Sequence, residues 1–149
     1  MQEINARNAT RQEFIPLLRE LVRAYQAFAA YDAAGYRDKD LTVPQADVIF
    51  TLGNTEGMTF REIGELTLIT KGTLTGVIDR LEDKGLVKRV QQHDDRRCTR
   101  VCLTAKGTRV FEKVFPQQVA YLKLRFDRLS KAEREQALQS LRKIREIFS

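Results

Sequence analysis

The sequence predicts a mainly α-helical fold with a small β-wing, and three observations predict it. First, Thr59 and Glu62 flank the start of a short apolar helix, and a second helix opens at Thr70 after only a brief turn. Second, Gly85 closes that helix, and two short strand-like runs follow it around a charged tip, His93 to Arg97. Third, long stretches of helical periodicity occupy both ends of the chain. Helix, turn, helix, strand, basic hairpin tip and strand, in that order, is the layout of a winged helix-turn-helix.

Residues 11 to 31 place Phe14, Leu17, Leu18, Leu21, Val22, Tyr25, Phe28 and Ala29 on one broad helical stripe. Thr10 and Glu13 resemble a capping box, yet Pro16 sits too deep for a helix begun there. The helix therefore begins near Phe14, or begins earlier and kinks. Ala33 to Asp40 reads as a loop or frayed end. A second helix opens with Thr42 as cap and Pro44 in its first turn, turns Val48, Ile49 and Leu52 inward, and stops at the turn residues Gly53 to Gly57. The Thr59–Glu62 capping box starts a helix at Phe60 whose inward positions are Ile63 and Leu66.

Thr67 to Ile69 make the turn, and Thr70 caps the helix from Lys71 to Lys84. Leu74, Val77, Ile78 and Leu81 follow the i, i+3, i+4, i+7 spacing of a buried face. At about 100° per residue, Gly72, Thr75, Gly76, Asp79 and Arg80 point away from it, with Thr73 on the flank. Gly85 is a left-handed stop. Val87–Val90 and Thr99–Leu103 are the strands, Thr104 caps a helix running to about Leu129 with Pro116 within it, and Ser130 and Glu133 box the start of a last helix carrying Leu138, Leu141, Ile144, Ile147 and Phe148. The 149 residues form one domain (1–149), with a DNA-binding lobe at 41–104 and helices at 11–34 and 105–149 set aside for dimerisation.

Composition bounds the function. Hydrophobic residues at 42% and charged residues at 31% are those of a globular chain and not a disordered one. The net charge of +6 favours an anionic partner, and a sequence pI near 9.5 fits a nucleic-acid binder. No apolar run reaches the roughly 20 residues that span a bilayer, and the first residues lack the pattern of a signal peptide, so no membrane is expected. Cys98 and Cys102 lie on one face of one predicted strand about 13 Å apart, too far to bond, and read as reduced thiols of a cytoplasmic protein.

The outward face of the 71–84 helix is unlike a plain surface. Gly72 and Gly76 each weaken the helix by about 1 kcal/mol relative to Ala, and their missing side chains let another surface approach. Thr70, Thr73 and Thr75 offer hydroxyls to phosphates and base edges, and Lys71 and Arg80 add charge. The competing reading is tight packing on another protein helix. At the hairpin tip, Arg96 and Arg97 suit a minor groove while Asp95 fixes the loop by capping or pairing; the competing reading is a solvated turn.

With one His and two Cys in no ligand spacing, no metal site is expected. No catalytic residues and no cofactor motif are found, neither GxGxxG nor GxxxxGK[ST]. The chain reads as no enzyme.

Leu41-Thr42…Gln45, Gly57 to Ile63, Leu74-Thr75, the run Val77 to Glu82, Gly85-Leu86-Val87, Asp95-Arg96-Arg97 and Leu103-Thr104…Gly107 together resemble the MarR family, the multiple antibiotic resistance regulators. The resemblance covers about residues 41–107 and implies a winged-helix homodimer whose terminal helices interlock. It implies binding to a pseudo-palindromic operator in double-stranded DNA, as a repressor or an activator with repressor the preferred reading, with Arg97 in the minor groove and Asp95 holding the wing. It further implies release by a small aromatic or phenolic anion, for which Tyr25, Phe28, Tyr31, Tyr36 and Arg37 are the candidates, although these side chains also read as core or dimer contacts. Gly64 and Leu68 depart from the family pattern, and residues 1–40 hold no Cys for oxidant sensing. A different class, a winged-helix module that binds an acidic protein partner, is separated from this one by sequence preference in duplex binding.

Overall fold

A computed structural model describes residues 3–91 and 98–149. After a single 3-10 turn at Ala9–Arg11, six helices follow: α1 (Ile15–Ala34), α2 (Val43–Leu52), α3 (Phe60–Leu66), α4 (Lys71–Asp83), α5 (Ala105–Phe126) and α6 (Lys131–Ile147). Three strands, β1 (Met58–Thr59), β2 (Val87–Gln91) and β3 (Thr99–Leu103), make an antiparallel sheet in the order β1-β3-β2. β2 and β3 form the hairpin stem, with Arg89 opposite Val101, while β1 sets Met58 against Val101 from the other side.

Local chemistry accounts for the starts. Thr42 and Gln45 close a full capping box on α2, as Thr59 and Glu62 do on α3 and Ser130 and Glu133 on α6. α1 starts at Ile15, with Pro16 in its first turn where no amide is lost, and the 3-10 turn before it is separate. Gly85 takes a φ of 71° just past α4, the left-handed turn that a side chain resists. Gly107 is needed for a different reason. A Cβ there would stand 1.9 Å from the backbone oxygen of Leu86, so α5 meets the chain at the hairpin's root only because that position is bare.

The core lies between residues 36 and 114. Ala46, Val48, Ile49, Ile63, Ile78, Leu81 and Val101 are fully enclosed. A row of rings, Tyr36, Phe50, Phe115 and Phe111, carries this core onto α5 with centroid separations of 6.1, 4.9 and 5.3 Å. α1 is fastened to α5 by polar and stacking contacts. Tyr31 stacks on Tyr121 at 4.3 Å, Arg125 lies 4.6 Å over the Tyr31 ring, and buried Gln118 donates to Asp32 Oδ1 at 2.8 Å. No residue of α1 or α6 is buried.

Several expectations are corrected. Leu66 is 63% exposed rather than inward, because the seven-residue α3 buries only the face around Ile63. α1 runs to Ala34, and α5 ends at Phe126 instead of near Leu129. β1 was not expected at all. Cys98 precedes β3 instead of lying on it, and the Cys102 thiol donates to the Glu56 carbonyl at 3.4 Å.

Candidate nucleic-acid interface

α4 divides cleanly into two faces. Leu74, Val77, Ile78 and Leu81 are buried against α2, α3 and the sheet. Gly72, Thr75, Gly76, Asp79 and Arg80 are exposed, as the periodicity predicts, and so are Lys71 and the flanking Thr73. A Cβ added at Gly72 or Gly76 would meet nothing within 4 Å, so neither glycine makes room for another part of this chain. The pair leaves a bare strip of backbone flanked by threonine hydroxyls. Thr70 stands at the N-cap position without capping; its hydroxyl bonds to that of Thr73 at 3.1 Å instead. The first-turn amides of α4 lie at the positive end of the helix dipole, where an anion is favoured.

The helix is held at both ends. At its start, the Thr67 hydroxyl donates to the Ile63 carbonyl at 2.8 Å and so fixes the turn from α3, leaving Leu68 at the surface. At its end, Lys84 Nζ donates to the Asp40 carbonyl at 2.6 Å and to Gln45 Oε1 at 3.1 Å. Sequence reasoning missed a third tie. Arg89 on β2 grips α4 through Asp79 and through Glu82 Oε1 at 2.9 Å, and its guanidinium lies 5.6 Å from the centre of the Phe60 ring. The signal was present, two acids one helical turn apart and an Arg on the next strand, but which Arg they take depends on the hairpin register. Among the described residues Arg80 has no ion pair, so its charge is open to a partner. Asp95, Arg96 and Arg97 lie outside the described residues.

The aromatic candidates do not form one group. Tyr25, Phe28 and Tyr36 line a cavity of about 370 Å³ between α1, α2 and the α3–α4 turn. Tyr31 faces α5 instead, and Arg37 lies beside Asp40 and Lys84 on another surface. Sequence reasoning did not foresee that Asp32, Asp47 and Glu65, from three different helices, line the same cavity. Burial first, with the charge of Asp32 added, pushes the Asp47 carboxyl above its ordinary range against the backbone hydrogen bond from Leu68. Burial, then Asp32 and Asp47, likewise hold the Tyr36 phenol well above its usual value, so it stays protonated.

A helix with one face buried and the other bare, braced against a hairpin stem, is the winged helix-turn-helix of a DNA-binding protein. Residues 41–99 match the family model described as MarR family. The helix-turn-helix transcriptional regulator YfiV of Bacillus subtilis is 29% identical over 110 residues, 74% of this chain and 69% of that protein. BpsR of Bordetella bronchiseptica, whose DNA binding is regulated by 6-hydroxynicotinic acid, is 27% identical, with a TM-score of 0.77 over 96% of this chain and 97% of the other. AbsC of Streptomyces coelicolor, at 22% identity, shares the fold with a TM-score of 0.81 over 99% and 98% of the two chains. Residues 41–99 are thus similar to the MarR family, and the chain shares its fold with helix-turn-helix transcriptional regulators. Among the described residues no helix is long and apolar enough to cross a membrane.

Proposed function

We propose that this chain works in the cytoplasm as a homodimer that represses transcription from a pseudo-palindromic operator and is released by a small aromatic molecule. The observation that carries the reading is the outward face of α4, where Gly72 and Gly76 leave the backbone open between Thr73, Thr75 and Arg80 while every large apolar side chain turns inward. Thr75 and Arg80 read base edges, with Thr73 beside them, Lys71 and the first-turn amides hold phosphate, and Arg97 reaches the minor groove from a tip shaped by Asp95 and accompanied by Arg96. The second copy covers the exposed apolar stripes of α1 and α6, which gives the two-fold symmetry that a two-fold operator requires. Regulation of BpsR by 6-hydroxynicotinic acid supports an effector, and the cavity walled by Tyr25, Phe28 and Tyr36 is where it binds.

Selection of bound duplexes from a random pool, repeated for variants, tests this. Wild type recovers a two-fold motif. Thr75→Ala changes the recovered bases, Arg97→Ala weakens binding strongly, Asp95→Ala weakens it less, and Lys71→Ala lowers the salt slope by about one unit. Recovery of no motif by the wild type, with salt-dependent binding to any polyanion, supports the acidic-partner module instead.

A further inference from the structure

We propose that the cavity between α1, α2 and α3 takes an aromatic cation, an arylalkylammonium in chemical class; this rests on the reading of that cavity as the effector site. Its walls carry the faces and edges of Tyr25, Phe28, Tyr36 and Phe50, and its polar rim carries Asp32 from α1, Asp47 from α2 and Glu65 from α3. No Lys, Arg or His is among its described lining residues. The Glu65 carboxylate already meets Arg61 at 3.1 Å on the surface. Asp32 accepts from Gln118 and Asp47 from the Leu68 amide, neutral contacts that orient both carboxylates, and neither has an ion pair among the described residues.

Aromatic faces and carboxylates favour the same ligand charge. Ring quadrupoles attract cations, and so do two partly buried carboxylates close enough for the charge of Asp32 to raise the cost of ionising Asp47. A carboxylate ligand would meet that field with nothing to pair with. A metal ion does not fit either, since no group of three His, Cys, Asp or Glu among the described residues is placed to hold one. The volume of about 370 Å³ is that of a small-molecule site. One or two fused rings with a short ammonium arm would fill it, the arm reaching the carboxylates and the rings lying against Tyr25 and Phe28.

The test uses the full chain and three probes of one shape, naphthylmethylammonium, naphthylmethanol and naphthylacetate, titrated calorimetrically. The ammonium is expected to bind at least about tenfold tighter than either of the others. Asp47→Asn retains an acceptor for the Leu68 amide, and Asp32→Asn retains one for Gln118. Each is expected to lose about tenfold in ammonium affinity while naphthylmethanol is unchanged. Urea unfolding verifies that the variants fold, and if one does not, the other carries the measurement. Tightest binding by naphthylacetate overturns the charge assignment and leaves the effector reading standing. Ammonium binding that neither Asn variant weakens overturns the site. Binding of no probe at millimolar concentration overturns both readings.

Discussion

Residues 41 to 103 and the two terminal helices α1 and α6 are built from similar side chains and reach opposite results. In the first region each apolar stripe meets another stripe of the same chain, and Val48, Ile49, Ile63, Ile78 and Leu81 vanish from the surface. In α1 and α6 the stripes are as regular, yet Leu18, Val22, Leu138 and Leu141 remain exposed, Leu141 by 55%. Periodicity fixes which face of a helix is apolar and says nothing about whose atoms cover it. The core is therefore closed by residues 41 to 103 together with Tyr36, Phe111 and Val114, and α1 and α6 carry apolar surface that this chain leaves uncovered.

Truncations at matched positions give the widest separation between the regions. Ile78→Ala should cost about 2–5 kcal/mol, because the side chain is wholly enclosed and the cavity left behind cannot collapse. Leu141→Ala, measured by urea unfolding at a dilution where the chain is monomeric, should cost within about 0.5 kcal/mol. Sedimentation should show the converse for association, with Leu141→Asp weakening it and Ile78→Val leaving it alone. Equal stability losses at the two positions would abolish the distinction.

A smaller effect sharpens it at the junction. Gly107→Ala forces a methyl group against the Leu86 carbonyl, and about 1–3 kcal/mol is expected from the displacement of α5 or of the hairpin root. Gly76→Ala, where the added atom meets open space, should instead raise stability by up to about 1 kcal/mol and lower DNA affinity. Stability curves and operator titrations of the two variants check both signs.

The extent to which the fold was legible varies along the same division. The boxes at Thr59–Glu62 and Ser130–Glu133 were readable because each lies within four consecutive residues, and Gly85 because its backbone demand is local. β1 was not, since Met58 and Thr59 are a strand only by virtue of Val101 and Arg100, some forty residues on. Leu66 was misplaced because a helix of barely two turns has too few residues for its pattern to show which side is inward. For the site, the exposed face of α4 followed from its own spacing, whereas the acidic rim of the cavity did not, because Asp32, Asp47 and Glu65 become neighbours only when three helices pack.

The smallest effect is a pH dependence located on that rim. The folded-state pKa of Asp47 is raised above its ordinary 3.8, so the native state binds this proton more tightly than the unfolded chain does. The destabilisation is thus present above the raised pKa and disappears as the pH falls through it towards 3.8. Asp47→Asn should accordingly be more stable than the parent at neutral pH, with the difference closing on acidification. A difference that widens in acid would contradict the assignment.

The Arg89 clasp has a mechanical consequence. By holding Asp79 and Glu82 from β2, it locks the hairpin stem to the C-terminal half of α4, and the Lys84 contacts tie that same end to α2. α4 and the stem of the hairpin beside it then turn as one stiff blade. In the homodimer proposed above, little remains adjustable except the gap and tilt from one blade to the other, so the proposed effector needs no rearrangement inside either. On that proposal, a wedge or a strut placed where each blade meets its handle, beside α1, is enough to carry it out of step with the pitch of the double helix.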